Sequence, residues 1–145
     1  KKNLNLVCFG GGKFSKNENE IIKNFGLEKN IKLFTNCDDS TLKHLYTNAK
    51  FLVLPSEIEG FGLPIIESMR NKCDVLASDI EVFKEIGQDK ISYFENGNLD
   101  SLINELERKV NSEDQNFIYS ALEYSKNFTW LTCAKKTFDI YSEMK

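Results

Sequence analysis

Short apolar runs alternating with helix-patterned segments predict an α/β fold built on an open parallel sheet. Three observations carry this expectation. Apolar runs of strand length lie at residues 4–9, 31–34, 51–54, 74–77 and 91–94. Between them, apolar residues recur at helical spacing, as in Ile65, Ile66 and Met69. The runs end in glycine or polar turns such as Gly10-Gly11-Gly12, Pro55-Ser56 and Ser78-Asp79. Strands that alternate with helices pair in parallel through right-handed crossovers.

At 145 residues the chain has the size of one domain and can bury its own core. A net charge of -3 without a basic block gives no reason to expect nucleic acid or an anionic membrane surface as a partner. No apolar run reaches the length of a membrane span or a signal-peptide core, so this segment is expected to be soluble. Its first residue is Lys, not Met, which leads us to expect a longer parent protein that would carry any membrane contact. Cys8, Cys37, Cys73 and Cys133 are scattered without CxxC spacing, a pattern of reduced, buried or half-buried thiols in a cytoplasmic protein.

In chain order, the strand at 4–9 feeds three glycines. GGG followed by Lys13-Phe14-Ser15 is not the GxGxxG dinucleotide fingerprint. Ser15 with Glu18 makes a capping box for a helix with Ile21, Ile22 and Phe25 on its inner face, ending at Gly26. After the strand at 31–34, residues 35–39 turn at its carboxyl end, where open α/β sheets gather ligands. Asp39 or Ser40 also suits a cap for a helix at 41–49, and both readings stay open. The single histidine, His44, lies among Leu42, Leu45 and Tyr46 without a catalytic partner at a telling spacing, so a surface or interface role is expected.

The most informative stretch is residues 55–67, PSEIEGFGLPIIE, directly after the strand at 51–54. Pro64 suits the first turn of a helix. Gly60 and Gly62 flank Phe61, so the backbone can take dihedrals closed to other residues and let a ligand approach its amides. The start of the following helix offers unpaired amides and a positive dipole end to an anion. Glu59 and Glu67 stand on either side of this loop, and carboxylates accept hydrogen bonds from hydroxyls. Phosphate acceptors together with sugar hydroxyls are what a sugar nucleotide presents.

Further on, Lys72 precedes the strand at 74–77 and must take a left-handed conformation or reshape the turn. A short helix at 82–87 contains Glu85, for which a structural cap and a ligand contact are both open. Asp100 or Ser101 is the expected cap of a helix at 102–110, and Ser112 that of a run through Tyr124. A last helix with Trp130, Ala134, Phe138 and Tyr141 is expected to pack back on the sheet.

Two glutamates eight positions apart around GFGLP, preceded by Pro-Ser, resemble the signature of family 4 retaining glycosyltransferases. LNLVCFGGG, LKHLYTNAKFLVLPS, DVLASDIEVFKEIGQDKISYFENGNLDSL and NFTWLTCAKKTFDIYSEM resemble further family segments, covering nearly the whole chain. The resemblance implies a Rossmann-like open parallel sheet with helices on both faces, the C-terminal half of a GT-B enzyme. Residues 1–145 would then be the nucleotide-sugar-binding domain, truncated at its N-terminal edge and lacking the N-terminal acceptor domain.

On that resemblance, Glu59 is the catalytic candidate, holding donor-sugar hydroxyls without being assigned as a nucleophile, and Glu67 holds the ribose. The amides of Gly60, Phe61, Gly62 and Leu63 would face the diphosphate, and Asn36 and Cys37 would run past the base. The implied substrate is a UDP- or GDP-sugar, with no cofactor and no metal. The implied location is the cytoplasm, with peripheral contact at the inner membrane face open to the full-length protein. The family's Arg and Lys clamp on a glycine-containing loop has no counterpart here, since Lys1, Lys2 and Lys13 do not match it. The chain alone is therefore expected to bind nucleotide weakly and transfer nothing. Two rival readings are a non-catalytic nucleotide- or partner-binding module of the same fold, and an unrelated phosphate-binding α/β domain using Mg²⁺ at Asp38, Asp39 and Asp79.

Overall fold

Every strand pairing in the computed structural model, which describes residues 4–112 and 114–144, is parallel. The chain divides into two compact units, the first ending at Lys43 and the second beginning at His44. Lys1 and Lys2, which do not match the family's clamp in sequence, lie outside the described residues.

In the first unit, β1 (Leu6–Phe9) pairs with β2 (Ile31–Phe34), with Leu6 opposite Ile31 and Phe9 opposite Phe34. Between them runs α1 (Lys16–Asn24), and its capping box forms as expected: Glu18 N–H donates to Ser15 Oγ, and Ser15 N–H donates to the Glu18 carboxylate at 2.7 Å. Gly26, at φ +63, follows the helix end in the left-handed conformation. The expected inner face is a different matter. Ile22 is half-buried, but Ile21 is exposed and Phe25 is 73% exposed. Helical spacing aligns these side chains without supplying a surface to cover them.

Helix α2 (Asp39–Asn48) begins in the first unit and ends in the second. Its cap is Asp38, not Asp39 or Ser40: Thr41 N–H donates to Asp38 Oδ1 at 2.7 Å and Leu42 N–H to the Asp38 carbonyl at 2.9 Å. His44 is exposed, as expected, with the Asn48 side-chain amide 3.3 Å from its ring nitrogen.

In the second unit, β3 (Phe51–Leu54), β4 (Asp74–Ser78) and β5 (Ser92–Phe94) form a sheet in the order β3-β4-β5. The connections are α3 (Leu63–Arg70), between β3 and β4, and α4 (Glu81–Gly87), between β4 and β5. The core gathers Ile65, Ile66 and Met69 of α3 with Val75, Leu76 and Ala77 of β4 and Phe83 of α4, all buried. At roughly 25 cal/mol per Å² of apolar surface, side chains of this size contribute about 1.5–3 kcal/mol each when buried. Lys72 takes the left-handed option, at φ +58, and Lys72 N–H donates to the Met69 carbonyl.

Helix α5 (Leu99–Asn111) is capped by Asn98, whose side chain accepts from Ser101 N–H, so the expected Asp100 and Ser101 lie inside its first turn. Ser112 closes α5, and α6 (Gln115–Ser125) is capped by Asp114 instead. Where several Asp, Asn and Ser residues stand in series, each suits a cap by chemistry alone, and the backbone turn selects among them. Helix α7 (Trp130–Glu143) has no buried residue among those described; Trp130 is 85% exposed and Phe138 69%, so the expected packing onto the sheet is not made. Among the described residues, no helix is long and apolar enough to cross a membrane. All four cysteines are free: Cys73 buried, Cys8 and Cys37 half-buried, Cys133 exposed.

Candidate functional site

The loop between β3 and α3 is built from backbone that side chains would obstruct. Gly62 is the residue before α3, at φ +87 and ψ +39, a left-handed conformation that costs other residues about 1–2 kcal/mol. A Cβ there would also stand 3.1 Å from two ring carbons of the buried Phe83. Gly60 differs: its φ is not left-handed, and a Cβ would meet nothing within 4 Å. Its bareness serves the open side of the loop.

This arrangement leaves the start of α3 without a side-chain cap. Pro64 has no N–H to satisfy, and the Leu63 amide sits at the first helical position, which has no partner within the helix. Ile65 N–H turns back to the Gly62 carbonyl at 3.0 Å. Phe61 and Leu63 are about half exposed beside these amides, and Gly60 is open. An anion at this end would meet amides and the positive end of the helix dipole.

Both carboxylates are half-buried, and each is held by a hydroxyl of the fold. Ser56 Oγ donates to Glu59 Oε1 at 3.0 Å. Ser56 is itself anchored, because the buried Ser78 at the end of β4 donates its hydroxyl to the Ser56 carbonyl. Tyr46 Oη donates to Glu67 Oε2, also at 3.0 Å. Burial, and then the charge of Glu67, push the Tyr46 phenol well above its ordinary value, so it stays protonated and remains a donor.

The structure thus brings Glu59, Gly60, Phe61, Gly62, Leu63 and Glu67 onto one strand-to-helix turn of the second unit. Asn36, exposed, and Cys37, half-buried, lie in the first unit, in the turn after β2 that the sequence predicts. Glu85 is an exposed residue of α4. Asp38 is occupied in capping α2, and the Asp79 carboxylate accepts from Asn96 N–H at 2.9 Å and pairs with Lys84 at 3.3 Å. These bonds account for both carboxylates within the fold.

Sequence reasoning passed over Tyr46, Ser56 and Ser78 as site residues. A signal for the first was present: Tyr46 shares a helical stripe with Leu42 and Leu45, so its polar tip had to find a buried partner. Nothing local marks Ser78, whose bond to Ser56 spans 22 residues.

Residues 1–125 match the family described as Glycosyl transferases group 1. The chain is 36% identical over 106 residues to the serotype-specific mannosyltransferase WbdA of Escherichia coli, a match covering 73% of this chain and 12% of that protein. It is 36% identical over 84 residues to the O-antigen chain mannosyltransferase RfbU of Salmonella typhimurium, covering 58% of this chain and 24% of that one. Among solved structures, Anabaena Alr3699/HepE in complex with UDP and glucose superposes with a TM-score of 0.83 at 19% identity, over 96% of this chain and 40% of that chain. Sucrose-phosphate synthase (tll1590) of Thermosynechococcus elongatus gives 0.79 at 21%, over 96% of this chain and 38% of that chain. The chain therefore spans less than half the length of each of these proteins. It belongs to the glycosyl transferases group 1 family, and its fold is the parallel α/β arrangement of the GT-B glycosyltransferases.

Proposed function

We propose that this chain is the donor-binding part of a retaining hexosyltransferase that moves a sugar from a nucleotide diphosphate sugar to a glycan or lipid-linked acceptor in polysaccharide biosynthesis. One observation carries the reading: a helix start at Leu63 that no side chain caps lies between two carboxylates, Glu59 and Glu67, each held by a hydroxyl at 3.0 Å. The mannosyltransferase names of two relatives favour mannose as the sugar. The UDP and glucose in the Anabaena structure support nucleotide-sugar binding by this fold.

The chemistry follows from the residues. As the bond between the anomeric carbon and the diphosphate oxygen breaks, negative charge grows on the leaving diphosphate. The amides of Phe61, Gly62 and Leu63 and the helix dipole would take up that charge. Glu59 accepts hydrogen bonds from donor-sugar hydroxyls, and Glu67 accepts from the two ribose hydroxyls. The acceptor hydroxyl forms the new bond on the face the diphosphate leaves, which retains the anomeric configuration, and its proton passes to the departing diphosphate oxygen. This scheme assigns no step to a metal. Our reading also takes the enzyme to be cytoplasmic, with the acceptor held by a further domain through which any membrane contact would run.

The test is an NMR or calorimetric titration with UDP, GDP and ADP, first without metal and then with Mg²⁺. Selective shifts at residues 60–67 with one nucleotide, unchanged by Mg²⁺, are the expected result. An intact protein that bound none of the three at millimolar concentration would sink the reading, and binding only with Mg²⁺ would favour the metal-dependent alternative.

A further inference from the structure

We propose that Tyr46 is a positioning residue for the nucleotide, its buried hydroxyl orienting the Glu67 carboxylate toward the ribose. The proposal rests on the reading of Glu67 as the ribose ligand. A glutamate on an open helix turn has three rotatable side-chain bonds, and ordering it on binding costs affinity. Here one carboxylate oxygen is already held, by a tyrosine that is itself only 3% exposed.

The geometry leaves the right capacity unspent. A carboxylate has about four lone-pair positions on two oxygens. Among the described residues, the Tyr46 hydroxyl is the hydrogen-bond donor to the Glu67 carboxylate, and it acts on Oε2. Oε1 and a second lone pair on Oε2 remain for a vicinal diol, which donates two hydrogen bonds. The backbone beneath is held as well, because the Asn71 side-chain amide donates to the Glu67 carbonyl at 2.8 Å. Tyrosine suits this task because a buried hydroxyl without an acceptor would itself be penalised, so Tyr46 and Glu67 hold each other in place.

The experiment compares the intact protein and its Tyr46→Phe, Glu67→Ala and doubly substituted variants. Each is titrated with the nucleoside diphosphate it binds and with the 2′,3′-dideoxy form of that nucleotide, and its melting temperature is recorded. Tyr46→Phe keeps the ring and removes only the hydroxyl. The expected result is an affinity for the ribonucleotide lower by about 3- to 10-fold, the span of one ordinary hydrogen bond. Affinity for the dideoxy form should not change, nor should Tyr46→Phe add any loss to Glu67→Ala. Equal losses for both ligands would make Tyr46 a packing residue only and overturn the proposal, as would full retention of the preference for the ribonucleotide. If the unsubstituted protein binds both ligands equally, Glu67 is not a ribose ligand and the parent reading fails with it; discrimination kept by the parent and by Tyr46→Phe defeats this proposal alone.

Discussion

The ring of Phe83 lies directly against Gly62, with two ring carbons 3.1 Å from where a Cβ would be. The contact and the left-handed backbone act on the same residue, so the first turn of α4 packs against the backbone that opens α3. Gly62→Ala is expected to lose about 1–2 kcal/mol from the backbone term alone, read as a lower denaturant midpoint, with weaker nucleotide binding as the Leu63 amide shifts. Gly60→Ala is the contrast. Its Cβ meets nothing, so stability should stay within about 0.5 kcal/mol while nucleotide affinity falls. If the two variants behave alike, Gly62 has no special part in shaping the loop.

Glu59 and Glu67 are predicted to divide the donor between them. Glu67→Ala should weaken binding of the bare nucleoside diphosphate by about 1–3 kcal/mol, the value of a hydrogen bond to a charged group. Glu59→Ala should leave that binding intact and reduce affinity or turnover with the sugar nucleotide. Calorimetry with both ligands checks the division, and equal losses in all four combinations would contradict it.

Lys109 of α5 forms an ion pair with Asp74 of β4 while only 5% exposed. Burial holds its amine below the ordinary lysine range, and Asp74 partly restores it. Removing one partner leaves a buried charge alone, so Asp74→Asn is expected to cost about 3–5 kcal/mol in a denaturant titration. Asp74→Leu combined with Lys109→Met should cost far less, because the desolvation penalty disappears with the charges.

Stability is predicted to fall in mild alkali, with Cys73 responsible for the first part. Burial pushes this thiol up from 9.0 to about 11. A raised folded value means that its contribution is fully present below pH 9 and is lost as pH rises through 9 to about 11. Tyr93, raised from 10.0 to about 12 by burial, continues the loss at higher pH. Lys109, held down, works in the opposite sense up to 10.5. Melting curves at closely spaced pH values check this, and Cys73→Ala should flatten the slope between pH 9 and about 11.

What could be read from the chain was what neighbouring residues decide among themselves. The capping box of Ser15 and Glu18 closes within one turn, the Ile65, Ile66 and Met69 stripe follows from helical spacing, and the tight turn at Lys72 left two options, of which the left-handed one is taken. The site stretch was legible for the same reason, since Glu59, the two glycines and Glu67 lie within one turn of backbone and its helix. Choosing Asp38, Asn98 and Asp114 among rival caps already needed the backbone path.

The tertiary structure alone decided how the site residues are held. Tyr46 meets Glu67 across 21 positions, Ser78 meets Ser56 across 22 and Lys109 meets Asp74 across 35. Each such contact depends on which strands pair and how the helices return, and nothing in a local pattern encodes that. Burial is likewise a property of surroundings. The apolar stripe of α7 has the same spacing as that of α3, yet Ile65 is fully buried and Trp130 stands 85% exposed, because spacing aligns side chains and only packing covers them.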